Sequence, residues 1–182
     1  MKKTVWTFGL ISGGILSAMM LLTMPFMDQI GFDRGMVIGY TTMVVAFLLV
    51  FFGVRSYRDN VAGGEVGFGR ALAVGSLIAL VASLCYVATW EVFFFNFAPD
   101  FVEKMQAHMI EQMRTAGASP AAIQAKAAEM ERFAEMYRNP AINAAITLIE
   151  PLPVGLVFAL VSAGILSRRR RSEVGGWATA AG

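Results

Sequence analysis

Four polar side chains stand in otherwise apolar stretches of the sequence, and their spacing is the first indication of chemistry. Asn143, Thr147 and Glu150 recur at i, i+4 and i+7, so they share one face of a helix. Glu91 lies in a separate apolar run. An ionisable residue in a membrane span costs at least ~2.5–3.5 kcal/mol on insertion scales, so it usually faces protein or a wet cavity. The pattern predicts an intramembrane polar or proton-binding site.

The two glutamates have two interpretations. At ~1.5 Å of rise per residue, Glu150 lies ~15 Å past Pro140 and Glu91 lies ~12 Å before Pro99, so their depths match. Two carboxyl groups that share a site cannot both ionise easily, so such a pair could bind a proton. The alternative is structural: Glu150 stays protonated and is hydrogen-bonded to Asn143 or to another helix.

Pro151 and Pro153 directly follow Glu150. Proline has no N–H and clashes with the preceding turn, so it kinks a helix and frees a carbonyl. Freed carbonyls in a span can coordinate a substrate or ion where they line a cavity. The two prolines therefore predict a kink beside Glu150, which is either part of a binding site or only a bend.

The runs that carry these residues are long enough to cross a bilayer. The chain has 182 residues, of which 57% are hydrophobic and 15% charged, against roughly 25% charged in soluble domains. A spanning helix needs about 20 apolar residues. We predict a single all-α membrane domain over 1–182, and its four transmembrane helices are expected at 5–27, 36–54, 71–97 and 141–167.

Lys and Arg are concentrated on one side of these runs. Nine of the fifteen basic residues flank the same side, namely Lys2, Lys3, Arg55, Arg58, Arg70 and Arg168 to Arg171. Because cytoplasmic flanks are enriched in Lys and Arg, both termini and the loop between the second and third spans are predicted to be cytoplasmic.

Residues 98–139 are then predicted to be an extracytoplasmic hairpin of two amphipathic helices between the third and fourth spans. The sequence "AGASP" supplies Gly117 as a helix C-cap, Ser119 as an N-cap and Pro120 in the first turn. The pair Asn139-Pro140 repeats the cap and starts the fourth span directly.

The first hairpin helix carries Met105, Met109 and Met113 at i, i+4 and i+8, with His108 beside them. Thioether and imidazole groups suit Cu(I) or Ag(I), but methionine is also a common filler of apolar seams. We expect the seam, with no metal and no cofactor. His108 is the single histidine in the sequence, so neither a multi-histidine metal site nor a Ser-His-Asp triad exists.

Other signals of activity are weak. The glycines of "RSYRDNVAGGEVGFGR" match neither a P-loop nor the dinucleotide spacing. A basic face interleaved with aromatic residues, which would indicate nucleic-acid binding, is absent from the sequence. The sequence therefore predicts a protein that is not an enzyme and does not bind nucleic acid.

Small residues recur at four-residue spacing in three of the predicted spans. Membrane helices approach closely at such stripes, which predicts a tight bundle, with homodimerisation as the competing use of one face. The stripes are Gly9, Gly13 and Ser17; Gly75, Ala79 and Ser83; and Gly155, Ala159 and Ala163.

Several of these segments together resemble a bacterial membrane family known only as domain-of-unknown-function family 4199. The likeness runs through "RSYRDNVAGGEVGFGRAL", "FNFAPDFVEKM", "QMRTAGASPAAI" and "IEPLPVGLVFALVSAGIL". It places Glu150, Pro153 and Gly155 in the family's fourth span and Arg55, Tyr57, Arg58 and Asp59 in its basic inner loop. The resemblance implies a multi-pass protein of the bacterial inner membrane and brings no activity with it.

We expect a non-enzymatic accessory or regulatory membrane component. Its expected partners are membrane lipids and either a second copy of the chain or another membrane protein. The alternative is a small proton-linked transporter or channel subunit that uses Glu91 and Glu150. A weaker alternative is extracytoplasmic handling of Cu(I) or Ag(I).

Overall fold

The computed structural model describes residues 1–167, and these residues are helical almost throughout. The arginine cluster from Arg168 to Arg171, on which part of the topology prediction rests, lies outside the described residues. The helices are α1 (Lys2–Thr23), a 3-10 turn (Met24–Phe26), α2 (Met27–Ile30), α3 (Phe32–Asn60), α4 (Phe68–Phe97), α5 (Phe101–Thr115), α6 (Pro120–Tyr137), α7 (Pro140–Leu148) and α8 (Pro151–Leu166).

Four helical segments within residues 1–167 are long and apolar enough to cross a membrane, namely Lys2–Phe26, Phe32–Asn60, Phe68–Phe97 and Pro140–Leu166. They coincide with the four predicted runs and confirm the expectation of four candidate spans. The second helix is longer than predicted at both ends. Asp33 in its first turn and Arg58 in its last turn complement the helix dipole there, which favours continuing the helix past the apolar run.

The bundle is organised around α4. Helix α1 runs parallel to α4, because Gly9 faces Val81 and the Ser17 and Thr89 hydroxyls lie 2.8 Å apart. Helix α8 runs antiparallel to α4, and α3 completes the bundle by packing against both α1 and α8. The Ser12 hydroxyl donates to the Ala46 carbonyl at 2.8 Å and fastens α1 to α3.

The three small-residue stripes form these contacts, as predicted. A Cβ on Gly75 would lie 2.9 Å from the Cβ of Ala159, and one on Gly155 would lie 2.7 Å from that of Ala79. Each glycine thus receives a small residue of the opposite stripe. Since real Cβ atoms do not approach so closely, the α4–α8 contact depends on both glycines.

The fourth span is interrupted at Glu150. The Glu150 amide donates to the Thr147 carbonyl three residues back, at 3.3 Å, and Pro151 has no amide hydrogen to continue the ladder. Helix α7 therefore ends at Leu148 and α8 begins at Pro151. The break lies at the position where the sequence predicts a kink. It separates the packing of the two halves: α8 packs on α3 and α4, whereas α7 packs on α4 and α6.

The helical hairpin of α5 and α6 is present, with the predicted end signals. Gly117 has a positive φ of 75° after α5, and the Ser119 hydroxyl accepts the Ala122 amide at 3.3 Å. The Asn139 side chain caps the start of α7 by accepting the amides of Ala141 and Ile142. Only two residues separate the end of α6 from the start of α7, so α6 leads directly into the fourth span.

Adjacent glycines in α1 provide a matched test of the close packing. A Cβ on Gly13 would lie 2.6 Å from the Cys85 Cβ and 3.2 Å from the Ala82 Cα, whereas one on Gly14 would meet nothing within 4 Å. We expect Gly13→Ala to lower the free energy of unfolding by about 1–3 kcal/mol through overpacking. Gly14→Ala should leave it unchanged or raise it by about 0.5–1 kcal/mol. Unfolding by SDS in mixed micelles measures both, and equal stabilities would contradict this packing.

Candidate functional site

A cavity of about 550 Å³ lies between the hairpin and the transmembrane bundle. Residues of α1, α3, α4, α5 and α6 line it, together with the junction of α7 and α8. The position follows from the break at Glu150: α8 stays packed on α3, while α7 turns toward α4 and α6. The cavity occupies the space between α3 and α7.

Methionine dominates the wall of the cavity. Eight of the chain's twelve methionines line it, so the wall is apolar and adaptable, since Met is unbranched and has three rotatable bonds. They are Met19, Met20, Met24, Met27, Met36, Met43, Met105 and Met109. Met113, the third member of the predicted hairpin stripe, is not among the lining residues. Met105 and Met109 therefore form part of the cavity wall and also pack in the apolar seam between α5 and α6, where Val102 and Met130 are buried.

Glu150 faces this cavity from the helix break. Its side chain is exposed there, and its Oε2 accepts a hydrogen bond from the Tyr86 hydroxyl at 3.3 Å. Tyr86 comes from α4 and also lines the cavity. The Glu150 carboxyl group, at the break within the fourth span, thus accepts a hydrogen bond from a phenol and faces an apolar cavity.

A buried hydrogen-bonded network closes the wall beside Glu150. The Trp90 indole Nε1 donates to the Tyr137 hydroxyl at 2.9 Å, and that hydroxyl lies 3.1 Å from the Thr147 Oγ1. The Thr147 hydroxyl donates to the Asn143 Oδ1 at 3.2 Å, and the Asn143 Nδ2 donates to the Tyr137 carbonyl at 3.2 Å. Burial raises the pKa of the Tyr137 phenol, so this hydroxyl stays protonated. The network joins α4, α6 and α7.

A polar contact joins the hairpin to α3 at the other end of the cavity. The Gln112 Nε2 lies 3.3 Å from both carboxylate oxygens of Asp33, and the His108 Nε2 lies 3.7 Å from the Asp33 Oδ1. The His108 ring also stacks on Phe32, with centroids 5.2 Å apart. Asp33, His108 and Gln112 all line the cavity and Asp33 is largely exposed, so this contact forms the rim of the cavity.

The structure brings only part of the predicted site together. Asn143 and Thr147 are hydrogen-bonded to each other, and Thr147 and Glu150 line the same cavity. The structural interpretation allowed a bond from Glu150 to Asn143 or to another helix, and the observed partner is Tyr86 of α4 and not Asn143. Glu91 is not among the cavity-lining residues, and its Oε1 is buried without a hydrogen-bond partner within residues 1–167. A shared proton site of the two glutamates remains a prediction.

Sequence reasoning missed the aromatic members of the site. Tyr86, Trp90 and Tyr137 carry the hydrogen bonds around Glu150, yet they stand among 14 Phe, 4 Tyr and 3 Trp residues. One signal was available: a Tyr hydroxyl or Trp N–H buried in a membrane protein needs a partner. That requirement links them to the polar face of the fourth span.

The network predicts a specific cost for losing the Tyr137 hydroxyl. Tyr137→Phe removes the acceptor of the Trp90 N–H in a buried site, so we expect the free energy of unfolding to fall by about 1–3 kcal/mol. Tyr40→Phe is the control, because Tyr40 lies on α3 with an exposed side chain and should change it little. SDS-induced unfolding measures both. A Tyr137→Phe variant as stable as the Tyr40→Phe variant would show that the network is not stabilising.

Comparison with known proteins gives a family and no further relatives. Neither the curated proteins nor the solved structures contain a match to this chain. Residues 7–168 match the family described as "Protein of unknown function (DUF4199)". The match includes the hairpin, the break at Glu150 and nearly all of the four candidate spans. Because it extends over well more than half of the sequence, the chain belongs to this family.

Proposed function

We propose that this chain is a non-enzymatic, multi-pass protein of the bacterial inner membrane that binds a small amphipathic molecule beneath its hairpin. In this proposal the chain acts as an accessory or regulatory component. It signals to a membrane partner, or to a second copy of the chain, whether the ligand is bound. The observation that carries the proposal is the 550 Å³ cavity. Ligand sites typically occupy ~300–1,000 Å³ and combine apolar walls with a few convergent polar groups, as this one does.

The composition of the lining supports binding rather than catalysis. The cavity wall, as far as the described chain forms it, contains no serine, cysteine or lysine that a base could activate as a nucleophile. The hydroxyls of its threonines, Thr23, Thr42 and Thr147, donate to the Met19 carbonyl, the Ile38 carbonyl and the Asn143 Oδ1 and not to a base. Its polar side chains Tyr137 and Thr147 are hydrogen-bonded to each other. The single imidazole, His108, contacts Asp33 at the rim. The other proton-exchanging groups beside Glu150 are the phenols of Tyr86 and Tyr137, and Tyr137 is already held in the buried network.

The distribution of charge along the helices supports the proposed orientation. Lys2 and Lys3 begin α1, Arg55 and Arg58 lie near the end of α3, and Arg70 lies in the first turn of α4. The antiparallel order of the spans brings these residues to one end of the bundle, and the hairpin caps the other end. By the enrichment of Lys and Arg in cytoplasmic flanks, the hairpin and the cavity rim are extracytoplasmic.

A proton-linked transporter or channel subunit is the second candidate. The observation that favours it is the position of Glu150, which faces a cavity within a span and is hydrogen-bonded to Tyr86. It ranks second because Glu91 does not line that cavity. Handling of Cu(I) or Ag(I) by Met105, His108 and Met109 ranks below both, since an apolar, aromatic cavity accounts for the same residues.

The orientation has a direct test. We expect alkaline phosphatase inserted at Gly117 to be active and the same enzyme fused after Gly182 to be inactive, because it folds only outside the cytoplasm. Green fluorescent protein at the same two positions should give the reverse pattern. Reporters at Gly117 and Gly182 that behave alike would overturn the four-span orientation.

A neutral probe, together with a substitution that fills the cavity with a larger side chain, tests binding there. The chain in nanodiscs should bind the neutral probe triphenylphosphine oxide saturably, above the level of empty nanodiscs in equilibrium dialysis. Met109→Trp enlarges a side chain that lines the cavity and should weaken binding about tenfold, the equivalent of ~1.4 kcal/mol. Met113→Trp is the matched control on the same helix but outside the lining, and it should bind like the wild type. Probe uptake that is unsaturable, or equal in the two variants, would contradict a ligand site here.

A further inference from the structure

We propose that the molecule bound beneath the hairpin is an amphipathic cation, an organic ammonium or phosphonium with an apolar body, whose positive group pairs with Glu150. This inference rests on the proposed function and narrows it to one class of ligand. Three features of the cavity point to it: the sign of its charge, the unpaired position of Glu150 and the aromatic rings beside that carboxyl group.

The cavity carries negative charge and no strong positive charge. Its lining includes the carboxylates of Asp33 and Glu150, and the described residues contribute neither lysine nor arginine to it. The one basic group is the His108 imidazole, which already contacts Asp33 at the rim. A charged site that presents carboxylates and no cation favours a positive ligand and rejects fatty acids and other anionic amphiphiles.

Glu150 faces the cavity without the charge partner that a carboxylate in apolar surroundings requires. Its one hydrogen bond comes from the neutral Tyr86 hydroxyl at 3.3 Å, and no ion pair within residues 1–167 includes it. A carboxylate in low-polarity surroundings is costly until a cation or several donors compensate it. A ligand ammonium supplies this compensation, so Glu150 gains a charge partner on binding.

The surroundings of Glu150 suit a cation with an apolar body. Tyr86, Trp90, Phe101 and Tyr137 line the cavity, and aromatic faces attract cations by up to ~2 kcal/mol when water is excluded. The methionine wall accommodates an apolar body without demanding one shape. Asp33 at the rim places a second negative charge on the path from the outer end of the cavity toward Glu150.

A set of three matched probes tests the inference in the full-length chain in nanodiscs. Methyltriphenylphosphonium, triphenylphosphine oxide and triphenylacetate share a triphenyl body and are a cation, a neutral molecule and an anion. Equilibrium dialysis against empty nanodiscs gives the dissociation constant of each. We expect the cation to bind about tenfold or more tightly than the neutral probe, which corresponds to ~1.4 kcal/mol, and the anion to bind weakest.

Two substitutions then assign the charge preference to one carboxyl group. Glu150→Gln keeps an acceptor for Tyr86 but removes the charge, so it should abolish the preference for the cation by weakening the binding of methyltriphenylphosphonium about tenfold or more. Glu91→Gln makes the same change at a span glutamate outside the lining and should leave all three constants unchanged.

The outcomes separate this inference from the function on which it rests. If the cation and the neutral probe bind equally well, or if Glu150→Gln keeps the preference, the ligand class is wrong while the cavity remains a binding site. If none of the three probes binds saturably, the proposed function itself fails. A preference that Glu91→Gln abolishes as strongly as Glu150→Gln would place the cation elsewhere and also overturn the inference.

Discussion

The break in the fourth span is the constraint on which the rest of the structure depends. A bilayer core supplies no water to hydrogen-bond a freed backbone group, so a proline inside a span needs protein or a cavity around it. Pro151 ends the amide ladder directly after Glu150, and the helix restarts there as α8. Because α7 and α8 then pack on different neighbours, the bundle is closed around α8 and open between α3 and α7.

The side chains along α4 follow the same division. From Ala71 to Ser83 its buried residues are small or aliphatic, and glycine-mediated contacts bring α1 and α8 close. From Tyr86 to Phe94 its inward residues are mostly aromatic, with Trp90 packed against Phe101 at 5.0 Å between ring centroids. Small residues let helices touch, and large rings hold them apart. One helix therefore makes the bundle tight at the basic end and wide beneath the hairpin.

Local signals in the sequence were sufficient for the elements and their packing stripes. Span length, the Ser119 and Asn139 caps, Gly117 and the glycine stripes each depend on residues close together in the chain, and the structure bears them out. The site was only half predictable. Helical rise gives the depths of Glu91 and Glu150, but the direction in which each faces depends on how α4 and α7 rotate against their neighbours. Only Glu150 lines the cavity, and no local pattern contains that information.

The hydrogen-bonded network beside Glu150 bears on why a carboxyl group is present at all. Trp90, Tyr137, Thr147 and Asn143 satisfy one another without it, so the network that joins α4, α6 and α7 does not require the acid. A glutamine at position 150 could accept the same bond from Tyr86 without the desolvation cost of a charge. A group that is costly to place in a span, unnecessary for this network and turned toward a cavity is consistent with the ligand pairing proposed above. The cavity that Glu150 faces, with negative charge and aromatic walls, is where that binding energy would be recovered.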